Sequence, residues 1–115
     1  MWFRKRLYFR EQFGPLAKFY PSLRRYVSDT PQPDEGKILD YLMSGREEIT
    51  LTGPNIPDAL NPVPGEDIGS SITWMTDGVW VWQDSLIYYV EEYHVRLPRS
   101  FVDHARRNHW QVPKE

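Results

Sequence analysis

The sequence predicts an α+β fold: a small antiparallel sheet centred on a β-hairpin at residues 71–83, with helices packed on it. Three observations carry that prediction. Two β-prone runs, "SITWMT" and "VWVWQ", flank Asp77-Gly78. An Asp-Gly pair between such runs is the strongest short hairpin signal, because both residues tolerate the positive φ of a two-residue turn. Directly after it, Leu86, Tyr89, Val90 and Tyr93 fall at i, i+3, i+4 and i+7, one stripe of an amphipathic helix. Finally, 115 residues suit one domain with one core, here residues 1–115.

The elements follow in order. "WFRKRLYFREQF" is expected to be helical up to Gly14-Pro15, although Leu7 and Phe9 also alternate briefly as in a strand. Pro21 reads as the first residue of a short helix through Val27, with Leu23, Tyr26 and Val27 on one side. Asp34 suits the N-cap of a helix to Met43 whose inward face is Ile38, Tyr41 and Leu42. Gly45 then stands where a C-terminal glycine belongs. "EEITLT" predicts a strand with Ile49 and Leu51 on one face. Residues 53–69 hold four prolines and three glycines without periodicity, which predicts a long loop.

A two-residue turn sets the hairpin register: Thr76 opposite Val79, Met75 opposite Trp80, Trp74 opposite Val81, Thr73 opposite Trp82. One face then carries Trp74, Val79 and Val81, the other Met75, Trp80 and Trp82. Neither face is polar, so either both are covered or one is left for a partner. Asp84 is expected to cap the next helix, with Ser85 its first residue. A last helix starts near Pro98 with Phe101, Val102 and Ala105 inward, Ser100 in its first turn, and Trp110 anchoring the tail.

Composition narrows the function classes. The absence of cysteine excludes disulfides and thiolate metal sites and fits a reducing cytoplasm, where the chain is expected. The longest apolar runs fall far short of the ~20 residues that cross a bilayer, so no membrane partner is expected. The start, "MWFRKRLYFREQF", interleaves aromatics with arginines and does not read as a signal peptide. The net charge of −2 hides an asymmetry. Residues 1–27 form a basic aromatic segment of net +6, residues 28–95 carry net −11, and residues 96–115 net +3. The acidic middle can pair with the basic ends, or leave one face negative to steer a basic partner. Aromatics make up 15% of the chain. Most of these rings are assigned to the core and the rest to a binding surface, where Trp and Tyr are favoured.

No catalytic or metal constellation emerges. His104 and His109 are five apart, unlike the i, i+4 pairs of zinc helices, and His94 is ten residues before His104. Ser70, Ser71, Ser85 and Ser100 lie in no nucleophile-elbow setting. The acid pairs Glu47-Glu48, Glu66-Asp67 and Glu91-Glu92 are sequence neighbours that face water in different directions. No glycine-rich phosphate cradle is present. The chain is therefore expected not to be an enzyme and to need no cofactor or metal. Arg4, Lys5, Arg6, Arg10, Lys18, Arg24 and Arg25 interleave with Phe3, Tyr8, Phe9 and Tyr26, a pattern that can grip phosphates and stack bases. The acidic remainder opposes a polyanion, so nucleic acid is the alternative partner and not the first. A small enzyme with a site assembled from scattered acids is the other alternative.

The stretch "TDGVWVWQDSLIYYVEEYHVRLPRSFVDH", together with the earlier "ILDYLMSG", resembles a pattern in small bacterial proteins. That pattern is a Thr-Asp-Gly turn, alternate tryptophans, a double-tyrosine helix, then Leu-Pro and a phenylalanine. Such proteins are similar to the immunity proteins of bacterial polymorphic-toxin and contact-dependent growth inhibition systems. The resemblance covers about half the chain, mainly residues 71–104, and leaves out the basic N-terminal segment. It implies a protein that binds and neutralises the toxic C-terminal domain of a cognate toxin. Many such toxins are basic nucleases. Glu47, Glu48, Asp58, Glu66 and Asp67 are then expected to form an acidic docking face, with Trp80 and Trp82 as aromatic anchors.

Overall fold

The computed structural model describes residues 4–13 and 18–114. Four strands form one sheet: β1 (Lys5–Arg6), β2 (Arg46–Pro57), β3 (Asp67–Thr76) and β4 (Trp80–Gln83). Three helices complete it: α1 (Glu35–Met43), α2 (Ser85–Tyr93) and α3 (Arg99–Arg107). The sheet order is β1-β4-β3-β2. The β2–β3 and β3–β4 pairs are antiparallel and β1 joins β4 in parallel, so the α+β sheet is mixed and not wholly antiparallel.

The hairpin forms where Asp77-Gly78 placed it, but its register moves by two residues. Thr76 pairs with Val81, Met75 with Trp82 and Trp74 with Gln83. The cause is the Asp77 side chain. Its Oδ1 accepts the backbone N–H groups of Val79 (2.9 Å) and Trp80 (2.7 Å), which draws both into a longer turn. Only Gly78 there takes positive φ, at 100°. Because side chains alternate with period two, a shift of two preserves which residues share a face. Met75, Trp80 and Trp82 do lie together, opposite Trp74 and Val81.

The helices cover the Met75/Trp82 face. Ile38, Tyr41 and Leu42 of α1, Leu86 and Val90 of α2, and Phe101 and Ala105 of α3 are all fully buried, as their spacing predicted. Phe101 stands edge-on to Trp80 and Trp82 at 5.4 and 5.8 Å between ring centroids. The Trp82 indole N–H donates to the Leu42 carbonyl at 3.2 Å. Asp77 ties the turn to these helices as well: its Oδ2 accepts the Tyr41 hydroxyl (2.6 Å) and lies 3.1 Å from His104 Nε2. Gly45 serves packing and not positive φ. A Cβ there would stand 2.6 Å from the Trp82 ring.

Several sequence expectations are corrected. Residues 4–13, the described part of the segment expected to be helical, form no α-helix: Lys5–Arg6 pair with β4, Leu7 and Phe9 are buried in alternation, and a 3-10 turn, Arg10–Gln12, follows. The helix expected from Pro21 is a single 3-10 turn, Leu23–Arg25, with Leu23 buried and Tyr26 and Val27 outside. The Gly14-Pro15 stop lies outside the described residues. The long loop at 53–69 shrinks to a bend at 58–66, because β2 runs on to Pro57 and β3 begins at Asp67. Pro54 and Pro57 are tolerated because β2 is an edge strand whose pairing is irregular after Thr52. Neither Asp34 nor Asp84 caps its helix through its side chain. Asp84 instead exchanges hydrogen bonds with the Thr73 backbone. No helix among the described residues is long and apolar enough to cross a membrane.

Candidate functional site

The sheet's second face is only partly covered. Cross-strand partners point to the same side, so Ile49 shares that face with Trp74, and Leu51 with Ile72. On the inner strand β4, Val81 is buried. On the edge strand β2, Ile49 and Leu51 are 58% and 56% exposed. Together with Tyr8, Trp74 and Val81 they line a groove of about 330 Å³, rimmed by Arg4 and Glu48. Arg4 Nη1 meets Glu48 Oε2 at 2.6 Å across it, where a bulge in β2 displaces Glu48. Burial raises the Tyr8 hydroxyl's pKa, against the opposing pull of a hydrogen bond with Trp74.

A second recess, about 550 Å³, opens where the 58–66 bend meets the start of β3 and the last turn of α2. Among the described residues, four carboxylates line it, Asp58, Glu66, Asp67 and Glu92, with Tyr88 and Tyr93, and no basic residue does. The bend is folded by Asp58, whose Oδ1 accepts the N–H groups of Leu60 (2.8 Å) and Asn61 (3.1 Å). Its Oδ2 accepts the hydroxyls of Tyr88 (2.7 Å) and Tyr93 (2.5 Å). Tyr89 belongs to the same frame, its hydroxyl accepting the Ala59 N–H at 2.9 Å. Gly65, at φ 82°, permits the turn that brings Glu66 back to Val63. Burial pushes the Asp58 pKa up, but the tyrosine and backbone hydrogen bonds outweigh it and hold the carboxyl below its ordinary value. The same bonds raise both tyrosines; Tyr93 is pushed up to about 12, chiefly by Asp58 and then by burial.

The five acids expected to form one face separate into two groups. Glu47 and Glu48 lie at the Arg46↔Thr76 end of the β2–β3 ladder, while Asp58, Glu66 and Asp67 lie at or just past the Pro57↔Asp67 end. At about 3.3 Å per residue, the ends are on the order of 30–35 Å apart. Asp58 is 7% exposed and works inside the bend, so it is not a surface contact. Trp80 and Trp82, expected as aromatic anchors, are 6% and 0% exposed and belong to the core. The exposed acids Glu66 and Asp67 gain Glu92 as a neighbour, a residue sequence reasoning had not joined to them. Also missed were Ile49, Leu51 and Trp74 as surface. Their alternation was visible, but the β2–β3 register that aligns them was not.

The histidines stand apart. His94 Nδ1 meets Glu35 Oε1 at 2.9 Å, His104 faces Asp77, and His109 is exposed. No group of three or more His, Asp or Glu among the described residues is arranged to hold a metal ion. No family model, curated protein or solved structure matches the chain.

Proposed function

We propose that this chain acts by binding another protein, as an immunity-type inhibitor that docks onto and blocks the toxic C-terminal domain of a cognate bacterial toxin. The open apolar sheet face carries the reading. Scattered exposed apolar side chains are ordinary, but Ile49 and Leu51 lie beside Trp74 along an edge strand whose outward N–H and C=O groups lack a neighbouring strand. Such an edge offers a template onto which another chain can pair. The acidic recess adds the complement. Its carboxylates favour a basic partner and speed encounter, most strongly at low salt. The resemblance of residues 71–104 to immunity proteins names the kind of partner.

The test is to co-express this chain with the product of the neighbouring gene, which this reading expects to be a toxin, and to score growth. Wild type should restore growth, and Leu51→Glu should weaken binding at least 100-fold and abolish protection while thermal stability is retained, since position 51 lies outside the core. Full protection by Leu51→Glu would remove the sheet face from the interface. The competing reading, nucleic-acid association, rests on the exposure of Arg4, Lys5, Arg6, Arg10, Lys18, Arg24 and Arg25. It predicts binding to generic RNA or DNA that falls steeply with salt.

A further inference from the structure

A third recess, separate from both surfaces above, runs along α3 from its N-terminus. It holds about 420 Å³ and gathers three arginines, Arg96, Arg99 and Arg106, over an apolar floor of Pro33, Leu97 and Val102. One carboxylate, Asp103, lines it. Arg106 is compensated: Nη1 meets Asp103 at 2.8 Å and Nη2 meets Asp34, just outside the recess, at 3.6 Å. Arg96 is positioned but not neutralised. Its Nη2 donates to the Ser28 and Thr30 hydroxyls and to the Thr30 carbonyl, all uncharged oxygens, at 3.2–3.3 Å. Arg99 has no ion pair or side-chain hydrogen bond among the described residues.

Like charges held in one recess repel, and this chain has carboxylates to spare, with residues 28–95 at net −11. Two arginines lining the same recess are nonetheless left without a carboxylate partner among the described residues. The N-terminal end of α3 adds partial positive charge, since the Phe101 and Val102 N–H groups turn back to Pro98 while those of Arg99 and Ser100 precede the first helical bond. A carboxylate is satisfied by one guanidinium fork. Two forks from different directions suit a tetrahedral group with three free oxygens. The apolar floor and the volume leave room for a compact organic body. We infer that this recess binds the phosphoryl group of a small phosphate monoester, with Arg96 and Arg99 clasping the oxygens and Leu97 and Val102 supporting the organic part.

Titration of the full chain with phenyl phosphate, followed by ¹⁵N chemical shifts, tests this. Saturable shifts centred on residues 96–106, with Kd at or below about 1 mM, are expected. Inorganic phosphate should compete, benzoate should bind at least about 10-fold more weakly, and phenol should not bind. Arg99→Gln should weaken phenyl phosphate about 10-fold or more, whereas Arg107→Gln, exposed on α3 outside the recess, should not. Equal losses from the two substitutions would reduce the effect to diffuse charge and overturn the site. Benzoate binding as tightly as phenyl phosphate, or no saturation by about 20 mM, would overturn it equally.

Discussion

Replacing Asp58 perturbs the acidic recess at the residue that folds it. The carboxylate accepts four hydrogen bonds, two from the Leu60 and Asn61 N–H groups and two from the Tyr88 and Tyr93 hydroxyls. A bond to a charged acceptor contributes about 1.5–3 kcal/mol, and the half-buried hydroxyls regain water once the carboxylate is gone. Asp58→Ala should therefore cost about 3 kcal/mol, well below the sum of four such bonds, which in a domain of this size lowers Tm by roughly 12 °C. Asp58→Asn keeps an oxygen for the two backbone donors but sets an NH2 where Oδ2 accepted the two tyrosine hydroxyls, which must turn to accept from it, so about 1–2 kcal/mol is expected. The pH dependence fixes the mechanism. Folding depresses the Asp58 pKa, so its contribution is present above the unfolded value, near 4, and is lost as pH falls through the folded one. The wild-type advantage over Asp58→Ala should be full at about pH 7 and shrink below about pH 4. Tyr93 has the opposite sign: raised to about 12, its contribution is present below its unfolded pKa of about 10 and fades as pH rises through 12. Urea unfolding by tryptophan fluorescence measures the first effect, and tyrosinate absorbance at 295 nm the second. A cost for Asp58→Ala that persists undiminished at about pH 3, or tyrosine titrations identical in the two proteins, would show that the Asp58 carboxylate does not hold the bend.

Three further outcomes follow from the fold. Gly45→Ala should destabilise by about 1–3 kcal/mol in chemical denaturation, because its methyl meets the fully buried Trp82 ring; a neutral result would mean that α1 and β2 are not clamped there. Asp77→Ala should cost about 3–5 kcal/mol, since it strands two turn N–H groups and the inward Tyr41 hydroxyl at once, and a loss under 1 kcal/mol would show that the turn holds without its side chain. Arg4→Gln should change stability by less than about 0.5 kcal/mol, because its pair with Glu48 is solvent-screened at 39% and 35% side-chain exposure; a larger loss would make that pair structural.

What could be read from the chain was what neighbouring residues decide. The Asp-Gly turn, the stripe of α2 and the inward faces of α1 and α3 are local patterns, and each formed with its expected residues buried, except that Tyr93 and Val102 are only partly covered. The register slipped by two because a side chain, Asp77, competed for backbone donors that a turn dipeptide alone does not reveal. The parallel β1–β4 pair joins residues about 75 positions apart, so nothing near Lys5 announces it except the brief alternation of Leu7 and Phe9. Pro54 and Pro57 read as loop residues because their tolerance depends on β2 being an edge strand, which is a property of the whole sheet. The candidate site suffered most from this. The sequence shows that the hairpin has two apolar faces, but not which one three helices cover, so it does not tell the buried Trp80 and Trp82 from the half-exposed Trp74. Likewise Asp58 carries the same charge as Glu66 and Asp67 in the sequence, yet the tyrosines of α2 draw it inward.

Hydrogen–deuterium exchange with and without the proposed toxin partner tests the docking surface most directly. In the free chain, outward amides of the edge strand should exchange quickly. Saturating partner should slow exchange across Arg46–Thr52 and around Trp74, with little change in the buried hairpin strand Trp80–Gln83. Unchanged exchange in β2, with protection confined to helices or to the basic N-terminal segment, would contradict it.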